Sequence, residues 1–218
     1  MRRTSAIVSN LSLASLIPQF VVLVLSLSFH EAAHAWSANR LGDPTARLLG
    51  RLTLNPRAHV DWIGTVLFPL LAMTTGAPLI GWAKPVPVDL RFLKDPRRDF
   101  ALIALAGPVS NLLLAALAAA VFRIGVPFVP ESVAWAGLLA DVLFLTVVIN
   151  TLLAVFNMIP VPPLDGGNVL MGLVPERVAA GIAWLRPYGF VILYGLMLSG
   201  VLGSIILPVR RAILGWLL

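Results

Sequence analysis

The chain has 218 residues, of which 59% are hydrophobic and only 12% charged, with a formal net charge of +6. A mean hydropathy of +0.92 excludes an ordinary soluble domain, because so few polar side chains cannot cover a water-facing surface. The absence of cysteine excludes disulfides and thiolate ligands, so any bound metal must be held by nitrogen and oxygen donors.

The basic residues lie between apolar runs without interleaved aromatics, a pattern that suits an anionic lipid bilayer and argues against nucleic acid as a partner. The length and the lack of internal repeats predict a single membrane domain over residues 1–218, and no pattern in it specifies an oligomeric state. The expected fold is an all-α polytopic membrane bundle.

In chain order, the first apolar run covers Leu13 to Ala38, long enough to span a hydrocarbon layer of ~30 Å. Arg2 and Arg3 precede it and "AHA" closes it, but the run is too long for a cleaved signal peptide and is expected to stay attached. The next runs are Trp62 to Trp82, Phe100 to Phe122, Ala134 to Ile159 and Tyr188 to Leu207. Lys and Arg crowd the connections at 40–57, 84–98 and, less densely, 161–187, whereas 123–133 holds only Arg123. The positive-inside rule therefore puts the first three on the cytoplasmic face and the last outside.

With both 40–57 and 84–98 inside, the run 62–82 must enter and leave by one face. Pro69, Gly76, Pro78 and Gly81 interrupt it, as in a re-entrant element shielded by protein. The "GWAKPVPVDL" that follows suits a short, extended, β-like edge able to accept another strand. The tail after Pro208, "VRRAILGWLL", reads as a short amphipathic piece on the membrane surface.

At the inner end of the first run stands "HEAAH". His30 and His34 are four residues apart on a predicted helix, so both imidazoles project from one face with Glu31 beside them. This is the arrangement of two zinc ligands and a carboxylate general base, and ionisable groups near membrane depth are costly enough to imply function. A catalytic zinc needs a third protein ligand. His59, Asp61 and Asp165 are the candidates. Asp165 fits best, because with 62–82 re-entrant the helices ahead of His30 and of Asp165 both run from outside to inside and end at one depth.

"HEAAH", "GPVSN" at 107–111 and "NMIPVPPLDGG" at 157–167 resemble the three signatures of the site-2 protease family of intramembrane zinc metalloproteases, in its compact prokaryotic branch without PDZ or CBS domains. The resemblance implies one Zn2+ per chain held by His30, His34 and Asp165, with Glu31 as the catalytic carboxylate. It also implies that Asn157 contacts the substrate or the reacting carbonyl, a role for which an amide donor is suited. A Gly166–Gly167 turn is expected to aim Asp165 inward, and "GPVSN" to serve close helix packing. The implied activity is hydrolysis of peptide bonds in or near transmembrane segments of other proteins, from an active site toward the cytoplasmic face of the cell membrane. A metal-ion carrier or sensor and a noncatalytic membrane chaperone are the alternatives, and Glu31 distinguishes hydrolysis from both because neither requires a general base.

Overall fold

The computed structural model describes residues 13–76, 81–130 and 132–218, and within them the regular structure is entirely helical. The expectations placed on Arg2, Arg3 and Pro78 lie outside the described residues. Three long helices form the frame: α1 (Leu13–Leu41), α4 (Pro96–Ala120) and α5 (Ala136–Asn157), with the short α2 (Thr45–Leu48) and α3 (Phe68–Thr75) between the first two. Four shorter helices complete the chain: α6 (Asp165–Leu173), α7 (Glu176–Trp184), α8 (Gly189–Leu198) and α9 (Val201–Leu217).

Four stretches are long and apolar enough to cross a membrane, Leu16–Leu41, Pro96–Phe128, Ala136–Asn157 and Glu176–Leu198, and the protein is a multi-pass membrane protein. The last stretch is interrupted by a 3-10 turn at Arg186–Tyr188.

α1 ends where Gly42 takes a φ of 113° that other residues avoid, and the Asp43 amide reaches back 2.9 Å to the Ala38 carbonyl, satisfying an otherwise orphaned end group. α4 starts with reciprocal capping: Asp95 accepts from the Arg98 amide at 3.1 Å, while Asp99 accepts from the Asp95 amide at 3.0 Å. α4 runs antiparallel to α1, since Ile103 meets His34 whereas Asn111 meets Ser26, one turn before His30. α5 runs parallel to α1, with Asn150 beside Ser26 and the chain beyond Asn157 returning to the histidines at Asp165. The parity expected from the charge pattern is met.

Residues 62–75 form a π-helical turn that continues as α3, and the chain then returns so that the Trp82 amide bonds the Gly64 carbonyl at 3.1 Å. The two ends of this excursion meet. Among the described residues there is no strand, and 81–89 carry no regular secondary structure where an extended edge was expected. The segment is held instead by scattered bonds to side chains and loops.

Two expectations near the C-terminus are corrected. The run 188–207 is two helices, because Gly200 at φ 78° turns the chain between α8 and α9. The tail after Pro208 is no separate surface piece: α9 continues through Pro208, and its Leu217 is buried with Ala115, Ala118 and Ala119 of α4 and Val147 of α5. At its other end, Leu202 and Ile206 pack on Ile159, Leu164 and Leu193. α9 therefore runs antiparallel to α5 and ends beside the far end of α4.

Candidate metal centre

One turn of α1 carries His30, Glu31 and His34, all less than a tenth exposed. The helix period stacks the two imidazoles, whose Nε2 atoms lie 3.0 Å apart. Asp165, the first residue of α6, brings its Oδ2 to 3.0 Å from His30 Nε2 and 3.4 Å from His34 Nε2. Of the three residues considered as partners for the histidines, the structure brings only Asp165 to them.

Glycines make this approach possible. A Cβ on Gly107 would lie 2.5 Å from the His34 ring and 2.6 Å from that of His30, so α4 can lie against the imidazoles only without a side chain there. The close packing expected of "GPVSN" thus resides in Gly107. Gly166 and Gly167 do not form the expected turn. They lie within the first turn of α6 and allow it to rest on the backbone of Met158 to Pro162, where a Cβ would collide.

The donor set fits a metal ion. His34 Nδ1 faces the Ile103 carbonyl at 2.7 Å, and a carbonyl can only accept, so this nitrogen carries the proton. His30 Nδ1 faces Asn111 Oδ1 at the same distance and carries its proton likewise. Both Nε2 atoms then present lone pairs to the same space as a carboxylate oxygen that is buried without a hydrogen-bond partner. The three atoms lie 3.0–3.4 Å from one another, as the ligand atoms of one metal ion would. A tetrahedral zinc with bonds of ~2.0–2.1 Å separates its ligand atoms by ~3.3 Å, close to what is found. The Nδ1 bonds are those that hold metal-binding imidazoles in position.

Glu31 points beside the cluster and accepts from the Val86 amide at 3.1 Å. Val86 belongs to the 81–89 segment, which is tied down at alternate residues. Trp82 bonds Gly64 and the Thr65 hydroxyl, and the Lys84 amide bonds the His59 carbonyl at 2.8 Å. The Lys84 carbonyl receives Arg51 Nη2 at 2.5 Å, and farther on the Asp89 amide bonds Asp43 at 2.8 Å. His59 serves this scaffold. It is buried, donates from Nε2 to the Thr53 carbonyl at 2.8 Å and turns Nδ1 toward Arg51. Burial pushes its pKa below the ordinary histidine value, and the Arg51 guanidinium adds to this against the Thr53 bond and the Glu31 charge. Asp61 is spent capping the 62–67 turn.

A cavity of about 610 Å³ opens over the histidines, Glu31 and Asp165. Its walls include Pro85 and Val86 on one side, Phe156 and Asn157 of α5, and Phe190 of α8. Asn157 reaches the cavity, and one N–H of its amide is used 2.9 Å from the Leu153 carbonyl in its own helix. Sequence reasoning missed Asn168, which lines the cavity three residues after Asp165 and accepts from Arg186 at 3.0 Å. Its spacing from Asp165, one helical turn, is the signal that could have found it.

Fold and site define a class: a helical membrane protein with a buried two-histidine, one-carboxylate centre and a glutamate beside it. Comparison with known proteins narrows this. Residues 123–195 match the model of peptidase family M50. The chain is 39% identical over 200 residues to "Putative zinc metalloprotease YwhC" of Bacillus subtilis, covering 91% of this chain and 88% of that protein. It is 34% identical over 182 residues to "Putative zinc metalloprotease Rip2" of Mycobacterium tuberculosis, covering 83% of this chain and 66% of that protein. With "Putative zinc metalloprotease Rip3" of the same species it shares 31% over 208 residues, 42% of that longer protein. No solved structure gives a significant match. The chain belongs to peptidase family M50, the site-2 protease family, and is a metallopeptidase.

Proposed function

We propose that residues 1–218 act as one domain, an intramembrane zinc endopeptidase that cuts peptide bonds in or near transmembrane segments of other membrane proteins, as in regulated intramembrane proteolysis. The observation that carries this reading is the convergence of His30, His34 and Asp165 from two helices far apart in sequence, with Glu31 adjacent. In this reading those three residues hold one zinc ion. When bound, zinc polarises a peptide carbonyl and acidifies water.

The chain supplies the rest. Glu31 takes the proton from the attacking water as oxygen bonds to the carbonyl carbon, and returns it to the amine as the C–N bond breaks. The Val86 amide keeps the Glu31 carboxylate aimed. The second N–H of Asn157 remains to steady the developing oxyanion. The phenyl rings of Phe156 and Phe190 favour an apolar substrate and restrict water to the polar side of the cavity.

A helical substrate hides its carbonyls and must unwind before attack, and the 84–90 segment is proposed to hold the unwound stretch. Its bonds to the body use Trp82, Lys84 and Val86, which leaves the Ala83 N–H and the carbonyls of Ala83, Pro85 and Pro87 for a partner strand. Residues 62–82 are proposed to re-enter the membrane from the cytoplasmic face, which puts the active site toward that face.

The test is Glu31→Gln. The variant should keep its zinc and lose roughly 10²–10⁴-fold in cleavage of a transmembrane peptide in detergent or liposomes. Equal cutting by the two proteins would refute the mechanism.

A further inference from the structure

Behind His30, and out of reach of the cavity, three buried polar side chains close a circuit through three helices. Asn111 of α4 and Asn150 of α5 are both fully buried, and Ser26 of α1 is nearly so. Asn111 Oδ1 meets His30 Nδ1 at 2.7 Å, and Asn111 Nδ2 donates to Asn150 Oδ1 at 2.7 Å. Asn150 Nδ2 donates to Ser26 Oγ at 2.8 Å and to the Thr146 carbonyl at 2.9 Å.

We infer that Asn150 and Asn111 form a directional relay that fixes the His30 tautomer, and that Asn150 is a positioning residue for the metal centre although it touches none of its members. The direction originates in the backbone. The Thr146 carbonyl can only accept, so Asn150 must turn its NH2 toward it and its oxygen toward Asn111. Asn111 must then give its NH2 to Asn150 and its oxygen to His30. An oxygen facing Nδ1 requires Nδ1–H, which leaves the Nε2 lone pair toward His34 and Asp165.

Reversing the Asn111 amide would set an NH2 against Nδ1, place the proton on Nε2 and remove His30 as a donor to the ion; reversing Asn150 would set its NH2 against that of Asn111 and so favour that reversal. The two histidines are thus controlled differently. His34 is fixed by the Ile103 carbonyl, which cannot flip, whereas His30 depends on Asn111, whose NH2 is held by the Asn150 oxygen at 2.7 Å and by the more distant Ser26 carbonyl at 3.4 Å.

The inference rests on the zinc reading above, and its test measures metal binding and tautomer rather than cleavage. Zinc affinity is measured by chelator competition on detergent-solubilised wild type, Asn150→Leu, Asn111→Leu and Asn111→Asp. The His30 tautomer is read from ¹⁵N shifts of histidine-labelled apoprotein, and helicity and melting are recorded for each variant.

Asn150→Leu is expected to bind zinc roughly 10–100-fold more weakly and to show His30 shifted toward Nε2–H while His34 stays as it was. Asn111→Leu should lose at least as much, and Asn111→Asp, which keeps an acceptor at Nδ1, should stay within about threefold of wild type. Should Asn150→Leu fail to fold, the Asn111→Asp and Asn111→Leu pair carries the test. A folded Asn150→Leu with wild-type affinity and tautomer would overturn the relay, as would Asn111→Asp losing as much as Asn111→Leu. A wild-type protein that binds no zinc would overturn the centre itself.

Discussion

Gly107 shows how closely the centre depends on single side chains. Adding one methyl group there drives it into both imidazoles, so Gly107→Ala must displace α4 or rotate the histidines. Overpacking of this kind costs about 1–3 kcal/mol. The expected outcome is a folded protein of lower melting temperature with zinc affinity reduced at least tenfold, measured by chelator competition. A variant that binds zinc as wild type does would show that the imidazoles have more room than the structure allows. At this scale the sequence was informative wherever one helical period sufficed: the spacing of His30, Glu31 and His34 already places them on one face. The relay was not, because Asn111 lies 81 residues from His30 and 39 from Asn150, and its direction depends on a backbone carbonyl of α5.

Among the elements, the 81–89 segment depends most on partners elsewhere. Arg51, buried with its Nη2 on the Lys84 carbonyl, supports it from a loop more than thirty residues earlier. Replacing it with Met keeps much of the aliphatic bulk and removes that donor. Amide exchange around Lys84 should rise and cleavage should fall, while zinc content stays unchanged; unchanged exchange would deny Arg51 its supporting role. Val86→Pro tests the same element from the cavity side, because it removes the N–H that holds Glu31. It should lower turnover without loss of zinc, and full turnover would remove Val86 from the account. The alternation of prolines in "AKPVPV" suggested an edge, but only the folded chain reveals what ties it down, because those bonds come from Asp43, Arg51, His59 and Gly64. The break at Gly200 was hidden for a different reason: hydropathy stays high across Ser199 and Gly200, and glycine is common in membrane helices. Pro208 misled in the opposite sense, since a membrane helix can continue past a proline where its neighbours cover the freed carbonyl.

For the whole molecule, the central consequence is directional. α1 and α5 run the same way, α4 and α9 run against them, and Leu217 is buried against the end of α4 that leads into the 121–135 connection. The C-terminus therefore lies on the same side as that connection, opposite the basic loops. The natural absence of cysteine makes this easy to test. Single cysteines at the exposed positions Phe128 and Leu218 should react with a membrane-impermeant thiol reagent in intact cells, and one at Leu54 only after permeabilisation. Labelling of Leu218→Cys together with Leu54→Cys would reverse the placement of α9. The same parity made Asp165 identifiable from charge counts, since two helices ending at one depth is a global property that survives ignorance of their packing.

The most direct measurement is the zinc content per chain of purified wild type and Asp165→Ala after dialysis against a moderate chelator. The account predicts one zinc per wild-type chain and little or none in the variant, with the variant's helicity intact, because two imidazoles from a single helix turn cannot retain the ion alone. A folded Asp165→Ala that retains stoichiometric zinc would contradict it.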